Sequence, residues 1–423
     1  MRPDYLTATI SVTKPTGDLT DAILAGGSES TAGFLLPEHI FEDVPVAEIA
    51  RSDYGDAGHV GSGPFVISKW SQGDQLMMER NDHYFGDAAR LDKIVLRFVA
   101  DSREVMTSLS TGELDLAVDL PETSVVDLRQ IPSVTEVVAP KAGGVETIAI
   151  NLNDPENLTK PNPILSDLGV RRAIMLGFNR QTIVDDALNG QTSLAITPLD
   201  YTGWVVPDLK PYDYDPNEAR QALDVAGWKM QSDGVRAKDG VRLSVTLTAV
   251  QGDSPQIVLQ QRIEKAFVDD MATIGIQIEL RNVSATELNA DLTSGGILAS
   301  RSFEIVLLNE NQRSGIERFV WRFDSHNIPN ATDSNGGNVM GYSSALVDSA
   351  FVGQSHAIDP QSRTDFIYAA QRSIYRDLPV IPIYDHVEVD ASRSYVQGLK
   401  PGAVAGLWWN VETWWIDRGE AGP

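Results

Sequence analysis

The 423-residue chain contains no cysteine. Disulfides, thiolate nucleophiles and cysteine-ligated metals are therefore excluded, and the composition suits an oxidising compartment. No stretch approaches the roughly 18 uninterrupted apolar residues that a bilayer-spanning helix needs. The N-terminal MRPDYLTATISV also lacks the basic and then apolar layout of a signal peptide. Positive charge is scarce: 34 Lys and Arg stand against 59 Asp and Glu, a formal net charge of -25. Such a surface repels phosphate backbones and anionic membranes, so nucleic acid is not an expected partner.

Catalytic and cofactor signatures are missing as well. The histidines, His39, His59, His83, His326, His356 and His386, never fall at the spacing of a metal-binding helix, and there is no HExxH. Neither a metal nor another cofactor is expected. There is no GxSxG elbow, P-loop or GxGxxG after a strand; Gly61-Ser62-Gly63 precedes a strand and is read as a structural turn. Carboxylates are so numerous that some must lie close together, so proximity alone identifies no catalytic pair.

What remains is a long chain with 42% hydrophobic residues, enough for two or three cores. Its organising stretch is VETIAINLND (145–154), where Ile148, Ile150 and Leu152 alternate with Thr147, Ala149 and Asn151 as in a strand. We read it as a crossing between two α/β lobes, and PVIPIYDHVEV (379–389) as the return, which together form a hinge. The expected division is a partial first lobe over 1–148, a second lobe over 149–385 and a C-terminal return to the first lobe over 386–423.

Local signals fill in the elements. YLTATISVT (5–13) alternates as a strand. LLPEHIFEDV and PVAEIARSD read as short helices, and FVISKW, QLMMERN and KIVLRFV as strands. Asp101 with Glu104 forms a capping-box pattern that Gly112 closes. GVRRAIMLGF and RQTIVDDALN read as amphipathic helices with core-facing stripes, while Arg171 and Arg172 are expected to be solvated or salt-bridged. Asp215, Pro216, Glu218 and Gly227 mark another helix. RLSVTLTAV, the helix opened by Ser254 and Pro255, and IQIEL make a β-α-β unit. SATELNADLTS is read as a helix, FEIVLLN as a buried strand, and the following thirty or so residues as a polar loop. Asp359 and Pro360 then open the last long helix.

For ligand contacts the candidates are Asn151 and Asn153 at the first crossing and Tyr384 at the second, which either face a ligand or satisfy hinge backbone groups. Asn309, Glu310 and Asn311 follow the C-terminal end of a sheet strand, where α/β proteins bind ligands. Among the tail tryptophans, Trp408 is the candidate cleft-facing ring, with Trp409 and Trp415 packed against the first lobe.

Several of these residues fall into a recognisable order. The Gly61–Phe65 turn, Arg80-Asn81-x-x-Tyr84-Phe85, Leu91-Asp92-Lys93-Ile94 and Gly112-Glu113-x-Asp115 resemble the signature region of the family 5 extracellular solute-binding proteins, the oligopeptide, dipeptide and nickel receptors of ATP-binding-cassette importers. VRRAIMLGFNRQTIVDDALNG, YDYDPNEARQALDVAGW, GYSSALVDSAF and DLPVIPIY continue the likeness to the end of the chain. The resemblance implies a bilobal α/β fold of the periplasmic-binding-protein type (type II, cluster C), with a ligand cleft between lobes joined by the two-crossing hinge. It also implies that the first lobe is incomplete here. Family members carry a leader, the first strands of lobe one and a small extra domain upstream, so the chain is expected to be truncated, with Met1 internal, and to fold poorly alone.

The implied function is that of a monomeric, non-catalytic receptor in the periplasm or at the outer membrane face. It would capture a peptide or similar small polar solute and deliver it to an importer permease. Where many peptide receptors place an Asp after the strand matching FEIVLLN, this chain has Asn309, Glu310, Asn311, Gln312 and Arg313. Glu310 is the candidate substitute anchor, and the neighbouring amides suit a sugar-like or opine-like ligand equally. Two alternatives remain open: a hydrolase acting on a glycoside or peptide through an acidic pair in the same cleft, and a non-functional fragment.

Overall fold

A computed structural model describes residues 9–17, 36–49, 60–139, 144–199, 204–310, 316–330, 334–400, 406–417 and 419. The chain divides into two compact units. One comprises Met1–Gly33, Gly144–Val184 and Ser193–Tyr384; the other comprises Phe34–Gly143, Asp185–Thr192 and Asp385–Pro423.

The first unit is built on a five-stranded sheet in the order Gln277–Val283, Ser244–Val250, Ile305–Glu310, Val145–Ile150, Val380–Asp385. Ser244–Val250 pairs in parallel with both of its neighbours, and Ile305–Glu310 runs antiparallel to Val145–Ile150. Every residue of Val145–Ile150 is buried, as required of an inner strand covered on both faces. The expected β-α-β unit is present: helix Pro255–Ile274 starts at Ser254, whose hydroxyl accepts from Ile257 N, and ends at Gly275 with a left-handed φ of 87°. Leu259, Ile263, Phe267 and Met271 form its buried face.

Helix Leu168–Gly177 packs beside helix Pro216–Val225. Asp215 caps the latter, accepting from Asn217 N at 2.9 Å and Glu218 N at 2.8 Å, with Pro216 in the first turn. Removing this carboxylate orphans two helix donors, so Asp215→Ala is expected to cost about 1–2 kcal/mol of stability, with Asp215→Asn costing less than half of that. Chemical unfolding of both variants checks the ordering.

Several expectations are corrected. Of the strand expected over 5–13, residues 5–8 lie outside the described residues and 9–13 form no strand. The second helix of the RQTIVDDALN stretch is a short α turn, Arg180–Thr182, followed by a π turn, Ile183–Ala187, and SATELNADLTS supplies only Ala285–Asn289. The supposed polar loop after residue 310 contains helix Ile316–Phe323. Its Ile316, Phe319 and Phe323 recur at three- and four-residue spacing and are buried, while Glu317, Arg318 and Arg322 between them disguise the stripe. Arg172 is salt-bridged to Glu218 at 2.6 Å. Arg171 is not solvated, and among the described residues it has no ion pair: it is buried and donates to Asp377 O and Leu165 O. Arg180 does the same work, donating to Pro382 O at 2.8 Å and Tyr212 O at 2.6 Å, and burial pulls its guanidinium down to about 10.

The second unit contains two three-stranded antiparallel sheets. One is the meander Phe65–Ser71, Gln75–Arg80, Lys93–Arg97. The other places Glu388–Arg393 between Leu116–Leu120 and Val134–Ala139, so the stretch read as one return strand is two, Val380–Asp385 and Glu388–Arg393. Leu109 from helix Ser102–Thr111, with Leu120, Val125, Leu128, Val389 and Ala391, forms its core. Asp101 caps that helix by accepting from Arg103 N at 2.9 Å, and Gly112 ends it at φ 80°.

Candidate functional site

The end of strand Val145–Ile150 is fixed by a polar knot. Asn151, fully buried, donates through Nδ2 to Arg301 O at 2.9 Å and Phe303 O at 3.0 Å. Its Oδ1 accepts from Arg301 Nη2 at 2.9 Å and from Asn153 N at 3.1 Å. The Asn153 side-chain Oδ1 accepts from the same Nη2, and Arg301 Nε donates to Val339 O at 3.0 Å. Arg301 is itself buried, with a left-handed φ of 57°. Its hydrogen-bond acceptors are amide and backbone oxygens rather than carboxylates, and desolvation lowers it to about 10. Asn151 and Asn153 are thus brought together around an arginine, and their side-chain oxygens are occupied within the unit.

The next strand presents the second group. Asn309 lies opposite Glu146 and Glu310 opposite Val145 in the antiparallel register. Asn309 is exposed, and among the described residues its side-chain amide has no hydrogen-bond partner. Glu310 is buried at 4% exposure and forms an ion pair with Arg322, which also donates to Gly337 O at 2.9 Å. Its carboxylate is engaged by the protein itself. Asn311 lies outside the described residues.

Tyr384 is fully buried at an isolated antiparallel bridge to Leu194. In the second unit Trp408 is half-buried and packs on Trp414 at a centroid distance of 5.0 Å. Trp409 and Trp415 were expected to pack inward, yet they are 54% and 37% exposed, and the buried ring is Trp414. Asn410 explains the inversion. It bonds Gly398 O and Thr413 Oγ1 through Nδ2 and accepts from Trp414 Nε1 at 3.2 Å, which turns Trp414 rather than its neighbours inward.

Arg301 and Arg322 are the residues that the sequence reading missed. Arg322 had a signal in the amphipathic spacing of IERFVWRF; Arg301, in the short SRSFE segment, had none.

A family model described as "Bacterial extracellular solute-binding proteins, family 5 Middle" matches residues 3–309. The chain belongs to the family 5 bacterial extracellular solute-binding proteins. Within that family it is 24% identical over 398 residues to the oligopeptide-binding protein AppA of Bacillus subtilis, covering 92% of this chain and 68% of AppA. It is 28% identical over 346 residues to Protein XP55 of Streptomyces lividans, covering 79% of this chain and 57% of XP55. The chain therefore spans little more than half the length of some curated relatives it matches. Among solved structures, AppA of Bacillus subtilis in complex with a nonapeptide superimposes with a TM-score of 0.69 at 22% identity, over 96% of this chain and 75% of that one. NikZ of Campylobacter jejuni in complex with Ni(L-His) gives 0.72 at 20% identity, over 95% and 75%. These likenesses establish the bilobal α/β fold of family 5 solute-binding proteins. Among the described residues no helix is long and apolar enough to cross a membrane.

Proposed function

We propose that this chain is the substrate-binding component of an ATP-binding-cassette importer, which captures a peptide or similarly small polar solute outside the cytoplasm and delivers it to a membrane permease. The observation that carries this reading is the family match over residues 3–309, which takes in the Gly61–Phe65 turn and all but the last residue of the strand Ile305–Glu310. Binding without turnover, as a monomer, is the corresponding activity: ligand shifts the population toward the bound conformation through contacts that the free form lacks.

For the contacts themselves we favour Asn309 and Trp408 over Asn151, Asn153, Glu310 and Tyr384. The exposed Asn309 amide keeps its hydrogen-bonding capacity, and Trp408 is only half-buried. The other four are buried or tied by internal bonds. With Glu310 committed to Arg322, an amide-lined subsite suits a ligand without a free amino group at that point.

Thermal melting of the purified chain against di- and oligopeptides, opines and oligosaccharides tests the proposal. A true ligand is expected to raise Tm by about 3–5 °C at roughly a hundredfold excess over Kd. Asn309→Ala should lower that response at fixed ligand concentration without changing the ligand-free Tm. Conversion of a bound ligand to product would contradict the receptor reading, as would a flat response across all three classes.

A further inference from the structure

The two edges of the five-stranded sheet in the first unit differ. Val380–Asp385 is buried at every residue, and the Leu194–Tyr384 bridge and the bond from Ala195 N to Ile383 O lie against it. Gln277–Val283, at the other edge, is exposed over four consecutive residues, Glu279 to Asn282. Its inner side is bonded in the parallel ladder with Ser244–Val250: Gln277 N donates to Leu243 O, and Val283 O accepts from Gln251 N. Backbone groups alternate in direction along a strand, so Glu279 and Arg281 share that inward orientation. Ile278, Leu280 and Asn282 therefore aim their N–H and C=O groups outward. Among the described residues none of these outward backbone groups has a hydrogen-bond partner.

Open edges are ordinarily blunted by a proline, a bulge or repelling charges, and this strand has neither proline nor bulge. Its charges also fit a second copy of itself. In an antiparallel pairing about a two-fold axis through Leu280, Leu280 faces Leu280, Ile278 faces Asn282 and Glu279 faces Arg281 of the second copy. The outward N–H and C=O groups of the three middle pairs are then satisfied, and the acid–base pair occurs twice. Moving the axis by one residue would set Glu279 against Glu279 or Arg281 against Arg281, so the charges also select the register. Both side chains are held on the strand's surface. Glu279 Oε1 accepts from Ser244 Oγ at 3.1 Å and Gln277 Nε2 at 3.4 Å, while Arg281 donates to Ser302 O at 3.0 Å and lies 3.8 Å from Glu287. Leu280, 48% exposed, would pack on its own counterpart.

We propose that the edge Gln277–Val283 is a self-association surface, at which two copies of the chain pair strand to strand and join their sheets. Each copy still binds cargo as a single chain; pairing is a separate, concentration-dependent equilibrium. Its specificity comes from the Glu279–Arg281 pairs and its bonding from the backbone of Ile278, Leu280 and Asn282.

Two copies of formal charge -25 repel at long range, so the test is run at about 0.15 M salt, where repulsion beyond roughly 8 Å is screened. Sedimentation equilibrium of the full chain is expected to show a reversible monomer–dimer equilibrium with a Kd of about 10–100 µM. Hydrogen exchange should slow at the amides of Ile278, Leu280 and Asn282 as the dimer forms, and stay unchanged at Glu279 and Arg281, whose amides are already in the ladder. Glu279→Arg and Arg281→Glu each set like charges opposite one another twice, and each should weaken the dimer about tenfold. Combining the two exchanges restores opposite charges and should return Kd to within about threefold of the wild type, which separates lost pairing from a misfolded strand. Three results would overturn the proposal: a chain that stays monomeric to about 1 mM, a dimer without selective protection of the three outward amides, or single charge reversals that leave Kd unchanged.

Discussion

Replacing Gly341 by alanine is expected to destabilise the first unit by about 3–5 kcal/mol, among the largest effects that a single methyl group can have here. Two costs combine. Gly341 has a φ of 64°, where a Cβ crowds the backbone by about 1 kcal/mol. The added Cβ would also overlap the Arg301 guanidinium and the Asn153 side-chain oxygen Oδ1. That oxygen and the Arg301 Nη2 form the knot that fixes the end of strand Val145–Ile150, so relieving the clash breaks hydrogen bonds of a buried cation. Gly234 separates the two costs: its φ is 84° but nothing lies within 4 Å of the added methyl. Gly234→Ala should therefore lose only about 1 kcal/mol. Urea unfolding of the two variants side by side decides the matter, and equal losses would mean that backbone strain alone accounts for Gly341.

The contrast between the knot and its neighbours also shows how far the sequence could be read. Strand Val145–Ile150, the capped helices at Asp101, Asp215, Ser254 and Asp359, and the β-α-β unit were legible because each is written in a local pattern: alternation, a cap, a proline or a terminating glycine. Helix Ile316–Phe323 was missed although its period is present, because charged residues inside the stripe made it look like loop. The candidate site was less legible still. Asn151, Asn153 and Glu310 were chosen as polar residues at strand ends, which was a sound reason to expect function. Their partners, Arg301 and Arg322, are 150 and 12 residues away in sequence, and no local rule shows that they consume those polar groups. Arg171 and Arg180 make the same point: placed at helix starts, they look solvent-facing, yet both are buried on backbone carbonyls from distant segments. Long-range satisfaction of buried donors is a property of the folded chain, and it decides which polar residues stay available for a ligand.

Glu264 carries the second large expectation, a stability that declines as pH rises. It sits on the buried face of helix Pro255–Ile274, one turn after Gln260, which donates to Glu146 at 2.9 Å. Only 3% of Glu264 is exposed, and among the described residues its Oε1 has no hydrogen-bond partner. Burial without a partner disfavours the charged form and pushes the carboxyl up to about 7. Because the folded protein then holds this proton more tightly than the unfolded chain does, the sign is fixed. The carboxyl imposes no ionisation penalty below the ordinary glutamate range near pH 4.5. Stability is lost as pH rises from there to about 7, and the loss is complete above it. The total is about 2–3 kcal/mol. Glu264→Gln removes the titration while keeping the shape, so it should match the wild type at pH 4 and exceed its stability by that amount at pH 8. The difference between the two proteins, followed by urea unfolding across pH 4 to 8, isolates Glu264 from Asp270, whose carboxyl is also raised by burial and would tilt both curves alike. Parallel curves would show that Glu264 is hydrated in solution and that the helix face opens more than its packing against the sheet allows.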